Sequence, residues 1–459
     1  MKRKYLTALI LLFTVIPLSF SQQKVKIDKS GFKLEKAGFD LAWDNIKEGD
    51  RCYNLGGGLY VKALEYYQNA LDYNSENAAL NYKMGVCSLF GNDPQGALPY
   101  FLKARSLNMD IAEDLILLTG RAYQFRGDFG KAIDFYNMYS DKGLEKGKLD
   151  SVVNDYIKEC NLAIEKGNTD ESIDVINLGN KINSEQDDYS SMVVMNNKLI
   201  YFTTRRQVED DARLQSSDMK YNENIFISTL DGENWSDAGP AGENVATELN
   251  EGVLYVDKDN KFMLVYTGWT GNGDIMISYF EEGKWTTPDS YLNILSTASR
   301  ETSVTMTPDG KQIFFTSDRK KGNFGGRDIY YISNIKKNKW SSPINLGPLV
   351  NSEGNEEAVW TSVTGDTIWF SSNGHSGYGG YDIFMSVRDE TGTFTEAVNL
   401  GIPYNSQWND LFYRQSRLDR RISWFSSNRP GGYGGLDIYM ARKVPKAIVP
   451  SEESDGYIR

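Results

Sequence analysis

The sequence predicts two repeat domains of different class: an α-helical solenoid followed by a β-propeller of five blades, with six blades as the alternative. Two internal periods lead to this prediction. A helical pattern recurs every 34 to 35 residues in the N-terminal part, and a strand pattern recurs every 50 to 55 residues after it. The 13% aromatic content and the 42 glycines also fit a β architecture better than an all-helical one.

The chain of 459 residues divides into four segments. We expect a signal peptide at 1–21, a helical domain at 29–166, the propeller at 172–443 and a polar C-terminal tail at 444–459. The hydrophobic fraction of 40% and the charged fraction of 24% are ordinary for folded proteins, so the composition excludes disorder for most of the chain.

The N-terminus has the pattern of a secretory leader. Basic residues from Lys2 to Lys4 precede an apolar run, Leu6–Leu18, that is short for a membrane span. Small residues at Ser19 and Ser21 predict cleavage after Ser21. The alternative is a retained N-terminal anchor. After cleavage we expect no transmembrane segment.

Charge and reactive residues exclude several functions. The net charge of −12 argues against a nucleic-acid partner, which would need clustered Lys and Arg. The single histidine, His375, argues against a multi-His metal centre, and we predict no metal and no cofactor. Cys52, Cys87 and Cys160 form no CxxC pair, so we expect buried thiols, with a Cys52–Cys87 disulfide as the alternative.

The helical domain contains three related units, at 37–74, 78–109 and 111–145, with a capping helix at 148–166. In each unit a small residue precedes an aromatic one by four positions, which is helical spacing. We expect the small residue to let two helices approach closely and the aromatic ring to fill the gap between repeats, and we give Gly85 and Gly120 the same packing role on the preceding helices. The small residues are Ala63, Ala97 and Ala132, and the aromatic residues are Tyr67, Phe101 and Tyr136.

This period and these packing residues resemble the tetratricopeptide repeat, a helix–turn–helix unit of 34 residues. The usual Trp and Pro positions of that family are poorly kept here. The resemblance implies a concave surface that holds a segment of a protein partner. The alternative is a rigid spacer that binds nothing.

The C-terminal half repeats a glycine-rich string that ends in Asp and a short strand. The clearest copies are SSNGHSGYGGYDIFM at 371–385 and SSNRPGGYGGLDIYM at 426–440; a third lies at 316–332, and two weaker ones precede it. Each unit offers about four strands, which is typical of a propeller blade. Asp309-Gly310 is a predicted hairpin turn. The anchor residues of the five copies are Asn224, Asp274, Asp328, Asp382 and Asp437.

The arrangement of the copies predicts how the ring closes. The last copy lacks its fourth strand, whereas the segment 175–179, Val-Ile-Asn-Leu-Gly, stands alone before the first copy and matches 343–347. We therefore expect the N-terminal strand to complete the last blade and to remove the open sheet edge.

The repeated string resembles the WD40-like β-propeller repeat of TolB and of many envelope proteins of Bacteroidota. The order of helical repeats and propeller is similar to the periplasmic type IX secretion component of that architecture. The resemblance implies a periplasmic scaffold, peripheral to the outer membrane, that binds envelope proteins. We expect no OmpA-like domain, because only the polar tail follows the propeller up to Arg459, so peptidoglycan anchoring is not carried over.

The Gly-Gly-x-Asp element has a structural interpretation. We expect its glycines to permit positive φ in a tight loop and its Asp to accept backbone N–H groups. The alternative is cation binding within one blade by Asp328, Asp382 or Asp437 and neighbouring carbonyl oxygens. The glycines are Gly325, Gly326, Gly379, Gly380, Gly434 and Gly435.

Four further features lie in loops of the propeller. We expect His375 to be solvated, and Gly374, where other copies have Arg, to be sequence drift. Arg319 and Arg429 cross-link loops on one rim or meet an acidic partner. The segment 207–222 contains an insertion that makes the first blade longer than another blade by about ten residues. It is either a tolerated polar loop or a recognition loop.

These features predict a protein that is not an enzyme and that binds one partner with each domain. The alternative is a glycan-binding or glycan-active propeller. The sequence shows no recognisable carboxylate pair, Arg triad or Tyr-Glu motif at the propeller centre. Convergent Arg, Glu and Tyr at the channel would favour chemistry, and an exposed apolar rim would favour protein partners.

Overall fold

The computed structural model describes residues 25–91, 93–143, 148–167, 170, 172–208, 214–215, 218–247, 250–268, 274–336 and 339–444. The predicted signal peptide with its cleavage site and nearly all of the 444–459 tail lie outside these ranges. Within them, no helix combines the length and the apolar character that crossing a bilayer requires.

Eight α-helices form the N-terminal part. After the short α1, successive helices pack as antiparallel hairpins, α2 with α3, α4 with α5 and α6 with α7, and α8 packs on α7. Side chains that accept N–H groups begin some of these helices: Asn77 accepts from Leu80 N at 2.9 Å. The helices are α1 (Lys29–Phe32), α2 (Phe39–Leu55), α3 (Leu59–Tyr73), α4 (Ala78–Phe90), α5 (Ala97–Leu107), α6 (Leu115–Phe125), α7 (Phe129–Asp141) and α8 (Lys148–Lys166).

A glycine and an aromatic ring hold each hairpin together. Ala63, Ala97 and Ala132 are buried, as are Tyr67, Phe101 and Tyr136. A Cβ atom on Gly85 would lie 2.6 Å from the Phe101 ring, and one on Gly120 would lie 2.7 Å from the Tyr136 ring. Gly49 stands in the same relation to Tyr67. The aromatic ring therefore fills the inside of its own hairpin, and Tyr136 also contacts the following helix through Tyr156 of α8, with the ring centroids 5.5 Å apart.

The three cysteines are free and buried. The prediction of buried thiols is confirmed, and the alternative Cys52–Cys87 disulfide is wrong. Burial raises the pKa of the Cys160 thiol to about 12.

Five antiparallel sheets follow, each a propeller blade whose strands are given from the channel outwards. Blade 1 has β2 (Asp188–Val194), β3 (Leu199–Thr204), β4 (Asn224–Asp231) and β5 (Asn234–Trp235), with β6 (Gly239–Pro240) on β4. Blade 2 has β7 (Glu251–Val256), β8 (Phe262–Thr267), β9 (Asp274–Glu281) and β10 (Lys284–Trp285), with β11 (Asp289–Ser290) on β9. Blade 3 has β12 (Glu301–Met306), β13 (Gln312–Ser317), β14 (Asp328–Lys336) and β15 (Lys339–Trp340), with β16 (Ile344–Asn345) on β14. Blade 4 has β17 (Glu356–Thr361), β18 (Thr367–Ser372), β19 (Asp382–Val387) and β20 (Val398–Asn399). Blade 5 has β21 (Asp410–Gln415), β22 (Ile422–Ser427) and β23 (Asp437–Lys443), completed by β1 (Ile173–Asn177).

The ring closes as the sequence predicts. Strand β1 pairs antiparallel with β23, with Val175 opposite Ala441. Leu178 N then donates to Ile438 O at 3.1 Å, which continues the pairing into the following loop. Blade 5 thus joins the two ends of the propeller, and β1 covers the edge that β23 would otherwise expose. The five-blade prediction is confirmed, and the six-blade alternative is wrong.

Three kinds of connection recur in every blade. The inner turn joins the first and second strands, the long loop joins the second and third strands, and the crossover loop leads from one blade to the first strand of the next. Because the strands are antiparallel, long loops and crossover loops share one face of the ring, the loop face, and inner turns share the other, the turn face. The predicted Asp309-Gly310 hairpin is an inner turn, in which Gly310 has φ 67° and its N–H donates to Thr307 O at 2.8 Å.

Replacing Gly85 by Ala should destabilise the helical domain, because the new methyl group would clash with Phe101. We expect a loss of about 1–3 kcal/mol in the free energy of unfolding, measured by urea denaturation followed by circular dichroism at the helical signal. Gly130→Ala is the matched control, because no atom lies within 4 Å of the position that its methyl group would take. That variant should be neutral or more stable by up to about 1 kcal/mol. Equal effects of the two substitutions would contradict the packing described here.

Candidate functional site

The five anchor residues begin the third strand of each blade. In blade 3, Asp328 Oδ2 accepts from Phe324 N at 2.8 Å and from Asn345 Nδ2 at 2.7 Å. Asp437 Oδ2 makes the same two contacts in blade 5, with Tyr433 N and Asn177 Nδ2. Each of these carboxylates thus ties the long loop to the outermost segment of its own blade. No group of three or more His, Cys, Asp or Glu in the described ranges could hold a metal ion. The anchor residues are Asn224, Asp274, Asp328, Asp382 and Asp437.

The long loops of blades 3, 4 and 5 each contain a glycine pair. Each pair lies against the crossover loop that leads from its own blade to the next. A Cβ atom on Gly379 would overlap Gln407 O, and one on Gly434 would overlap Ser184 O. None of the six predicted glycines has positive φ. They are required for close approach between blades, so the expectation that they provide positive φ is wrong. The six are Gly325, Gly326, Gly379, Gly380, Gly434 and Gly435.

This close approach allows a hydrogen bond from the long loops of blades 3, 4 and 5 to the next blade. Asn409 Oδ1 accepts from Tyr381 N at 3.0 Å, and Asn355 Oδ1 accepts from Arg327 N at 3.1 Å. Asp187 Oδ1 accepts from Leu436 N at 3.1 Å where blade 5 meets blade 1. We call the glycine pair with this hydrogen bond the blade seam.

A second set of acids begins the first strand of every blade. All five are buried, and each accepts hydrogen bonds from a Ser or Thr four residues earlier, as Glu356 does from Ser352 N at 3.0 Å. They were not predicted from the sequence. The signal that could have found them is a Ser or Thr, three residues and an acid, repeated at the blade period. The acids are Asp188, Glu251, Glu301, Glu356 and Asp410.

In three blades an arginine from the long loop pairs with this acid. Arg319 Nη2 lies 3.0 Å from Glu301 Oε1, and Arg429 Nη2 lies 2.6 Å from Asp410 Oδ1. Arg206 pairs with the acid of blade 1 in the same way, at 2.7 Å. Arg319 and Arg429 are therefore cross-links inside the propeller, and their guanidinium groups are already occupied by a carboxylate.

Blade 4 departs from this arrangement. A Cβ atom on Gly374 would overlap Ser352 Oγ, so the crossover loop fills the space of a side chain there. The next residue, His375, is half-buried, and its Nε2 lies 2.8 Å from Val350 O. In blades 1, 3 and 5 the arginine donates to a backbone carbonyl of the equivalent crossover loop, as Arg319 does to Ile294 O. The expectation of a solvated His375 is wrong, because its ring contacts Val350 O and the Phe384 ring, and packing against Ser352 gives a reason for the glycine at residue 374.

Glu356 is consequently a buried acid with no cation paired to it among the described residues. It accepts hydrogen bonds from the hydroxyls of Ser352 and Ser372, at 2.5 and 2.7 Å. Burial raises the pKa of Glu356 to about 7, because the hydrogen bonds offset only part of the cost of removing its charge from water.

Arg, Glu and Tyr side chains converge at the loop face of blade 1. Tyr189 donates to Glu223, and Arg205 pairs with Asp218 at 2.5 Å. Tyr189, Glu223 and Arg205 are all buried. The residues meet because they lie at the start of the first strand, the end of the second and the start of the third. A Tyr-Glu pair therefore exists at the loop face of blade 1, although the distance between its residues in the sequence hides it.

A similar cluster joins blades 3 and 4. Arg327 forms an ion pair with Glu357, which also accepts from Thr302 Oγ1 at 2.5 Å. Tyr381 is buried next to them, and the nearby Glu357 contributes to raising its pKa, although burial is the larger cause. Both clusters bring together the residue types that we expected to favour chemistry.

The helical domain packs on the loop face of the propeller. The Trp408 ring, in the crossover loop of blade 5, lies 4.9 Å from the Phe125 ring at the end of α6. Asp218 in the insertion contacts the start of α3, where a Cβ atom on Gly58 would overlap Asp218 O. The part of the 207–222 insertion that the structure describes therefore braces the chain's own helices.

Equivalent aromatic residues of three long loops differ in exposure on the face where the helical domain docks. Phe324 in blade 3 and Tyr433 in blade 5 are 48% and 50% exposed, whereas Tyr378 in blade 4 is 2% exposed. The neighbouring Asp382 is also fully buried, and the charge of Glu159 on α8 contributes to raising its pKa, after burial and Asp410. Glu159 is thus close enough to act on blade 4.

Comparison with known proteins gives similarity in fold only. No family model matches the chain, and no curated protein matches it. A protein of unknown function from Dyadobacter fermentans is 12% identical, with a TM-score of 0.36, and the match covers 60% of this chain and 100% of that one. TolB from Acinetobacter baumannii is 16% identical, with a TM-score of 0.32, over 57% of this chain and 56% of that one. A putative TolB from Agrobacterium tumefaciens is 14% identical, with a TM-score of 0.33, over 59% and 90%.

Other similar structures correct one prediction. They include the periplasmic gluconolactonase of Pseudomonas aeruginosa, at 8% identity and a TM-score of 0.32, and an α-L-arabinanase of Penicillium chrysogenum, at 9% and 0.33. A sialidase is 14% identical, with a TM-score of 0.32. The prediction that the chain is not an enzyme is wrong as a deduction from its architecture, because propellers of this kind include enzymes. At these similarities none of the matches assigns an activity to this chain.

Replacing Glu356 by Gln should stabilise the propeller above neutral pH. The folded-state pKa of about 7 lies above the ordinary value of 4.5, so the folded state binds the proton more tightly, and stability falls as pH rises between these two values. Gln resembles the protonated acid, so the variant should match the wild type near pH 4.5 and exceed it at pH 8 by up to about 3 kcal/mol. Urea unfolding at both pH values measures this difference.

Glu301→Gln is the matched control, because Glu301 has the Arg319 guanidinium beside it. Replacing the Glu301 carboxylate should destabilise the protein at pH 8, because it leaves the Arg319 guanidinium without its partner. A Glu356→Gln variant that is less stable than the wild type at pH 8 would contradict the assignment of Glu356 as an unpaired buried acid.

Proposed function

We propose that the chain is an exported envelope protein, periplasmic and peripheral to the outer membrane, that holds protein partners on two surfaces. In this proposal the helical hairpins are tetratricopeptide repeats and the blades are of the WD40-like type. The protein supports the assembly of type IX secretion or a related envelope machine. The sequence resemblance supports the setting, and exposed apolar surfaces support the binding role.

The observation that carries the proposal is an apolar rim on the turn face. Met195, Val363 and Leu418 lie in the inner turns of blades 1, 4 and 5 and are 44%, 50% and 61% exposed. These blades are neighbours in the ring, and Asn197 and Ser416 link two of the turns by a hydrogen bond of 3.3 Å. Exposed apolar side chains on neighbouring turns of one face are typical of protein-binding surfaces.

A second surface lies on the first helical hairpin. A groove of about 630 Å³ runs beside α2 and α3, between Lys36 and Leu41 on one side and Asn69 and Asp72 on the other. Leu41 is 72% exposed there. Apolar and charged groups along one groove suit a peptide segment with mixed side chains.

The two surfaces are held in a fixed relation by the docking of the domains. The Trp408–Phe125 contact and the approach of Asp218 to α3 join them on the loop face, which leaves the turn face open. A scaffold that positions two partners needs this rigidity.

In-cell photocrosslinking tests the proposal. A photoreactive amino acid is placed at Leu418 on the rim, at Leu41 in the groove and at Lys284 as an exposed control on the outer edge of blade 2. We expect Leu418 and Leu41 each to crosslink a specific envelope protein that also co-fractionates in stoichiometric amount, and Lys284 to give none. A chain that fractionates alone, with equal background crosslinking at all three positions, would overturn it.

The Arg-Glu-Tyr clusters favour a second candidate, a glycan-binding or glycan-active propeller. Buried acids near arginine and tyrosine at one face can bind or transform sugars. A glycan array of the wild type against a Glu223→Gln and a Glu357→Gln variant tests it. Binding that both variants lose would favour this candidate, and no binding by the wild type would exclude it.

A further inference from the structure

The fifth residues of the first strands meet at the centre of the propeller. Trp360 belongs to blade 4 and Tyr255 to blade 2, which blade 3 separates, yet their ring centroids are 6.4 Å apart. Contact between blades that are not neighbours requires the side chains to cross the channel. Trp360 and Tyr255 therefore mark the channel interior.

Two arginines of blade 5 also lie at the centre of the propeller. Arg414, the fifth residue of β21, has its guanidinium carbon 5.3 Å from the Trp360 ring centroid. Arg417 reaches in from the inner turn of blade 5, with its guanidinium carbon 4.8 Å from Trp360 and 5.7 Å from Tyr255. Its Nη2 donates to Met306 O of blade 3 at 3.1 Å, so its side chain spans the channel.

Neither guanidinium is fully satisfied. Arg414 is 3% exposed; its Nη1 donates to Ala358 O and Tyr413 O, at 2.8 and 3.0 Å, and its buried Nε has no partner among the residues that the structure describes. The same residues offer no partner to the buried Nη1 of Arg417. Both of these N–H donors belong to guanidinium groups that lie beside the Trp360 ring.

No carboxylate from the parts of the chain that the structure describes pairs with either group. By contrast, Arg121, Arg205 and Arg327, which are buried or nearly so, each lie in an ion pair. Burial lowers the pKa of Arg414 to about 9, with no nearby acid to oppose it. Keeping a cation buried without a counter-charge is costly, and a bound anion would remove that cost.

We propose that the channel is a binding site for a carboxylate group, which Arg414 and Arg417 hold above Trp360. The planar fork of a guanidinium matches the two oxygens of a carboxylate, and two arginines supply several donors at once. The aromatic ring keeps both cations in place by cation–π attraction.

The ligand enters from the turn face. This direction follows from Arg417, which is half-buried in the inner turn of blade 5 and precedes the exposed Leu418 of the apolar rim. The site does not depend on the proposed function, because a carboxylate can belong to a protein C-terminus, an acidic side chain or a uronic acid. The shared chemistry is the carboxylate.

Thermal unfolding of the full exported chain in sodium acetate, against sodium chloride at equal ionic strength and pH 7.5, tests the site. We expect acetate to raise the unfolding midpoint of the wild type and of Arg421→Ala, an exposed arginine of the same turn that pairs with Asp419. Arg414→Met and Arg417→Ala should lose this shift. An equal acetate effect in all four proteins, or none in the wild type, would overturn the proposal.

The unfolding midpoint of Arg414→Met in chloride, where no carboxylate is present, separates a binding role of Arg414 from a structural one. Met has a similar shape to the Arg stem, so Arg414→Met should unfold at the same temperature as the wild type or higher in chloride, because it removes an unpaired buried charge. A lower midpoint in chloride, together with no acetate effect in the wild type, would make Arg414 a structural plug and overturn the proposal.

Calorimetric titration distinguishes the sources of the carboxylate. The probes are a tripeptide with a free C-terminal carboxylate against its amide, and D-glucuronate against D-glucose. We expect only the charged member of a pair to bind, with at least about tenfold weaker binding to Arg417→Ala, since charge-assisted hydrogen bonds are lost. The probe pair whose charged member binds more tightly identifies the source of the carboxylate. Equal binding of charged and neutral members would overturn the carboxylate assignment.

Discussion

The propeller depends on the close approach of the long loops of blades 3, 4 and 5 to the crossover loops that lead to the next blade. Glycines are required there because the facing backbone occupies the space of a Cβ atom, as Gln407 O does at Gly379. Once the loops are this close, an amide or carboxylate such as Asn409 can accept a backbone N–H from the preceding blade. The seam therefore fixes the angle between neighbouring blades, and with it the width of the channel and the position of the loop-face residues.

Departures from the repeat produce the features that distinguish one blade from another. In blade 1, Arg205 stands where the long loops of blades 3, 4 and 5 begin with Asp or Asn, and it brings Asp218 and the helical domain to that blade. In blade 4, His375 contacts a backbone carbonyl as the arginine does in other blades. It does not pair with Glu356, which therefore has no cation beside it among the described residues. In blade 5, Arg414 and Arg417 enter the channel. A repeat scaffold can change in this way at one blade because its neighbours keep the ring closed.

Much of the fold could be predicted from the sequence, because periodic residues report local structure. The 34-residue period predicted the helical hairpins, and the stray Val175–Gly179 segment predicted the ring closure. The reasons for the repeated glycines could not be predicted, since both positive φ and close approach select glycine. The Tyr189–Glu223 pair, the partners of Arg319 and the docking of Trp408 arise from contacts between residues far apart in sequence, which periodicity does not report.

The most direct test of the seam is the stability of Gly379→Ala against Gly239→Ala, by urea unfolding followed by tryptophan fluorescence. The methyl group at residue 379 would meet backbone atoms of Gln407, whereas no atom lies within 4 Å of the corresponding position at residue 239. We expect Gly379→Ala to lose at least about 2 kcal/mol in the free energy of unfolding and Gly239→Ala to stay within about 0.5 kcal/mol of the wild type. Equal stability of the two variants would contradict a seam that depends on glycine.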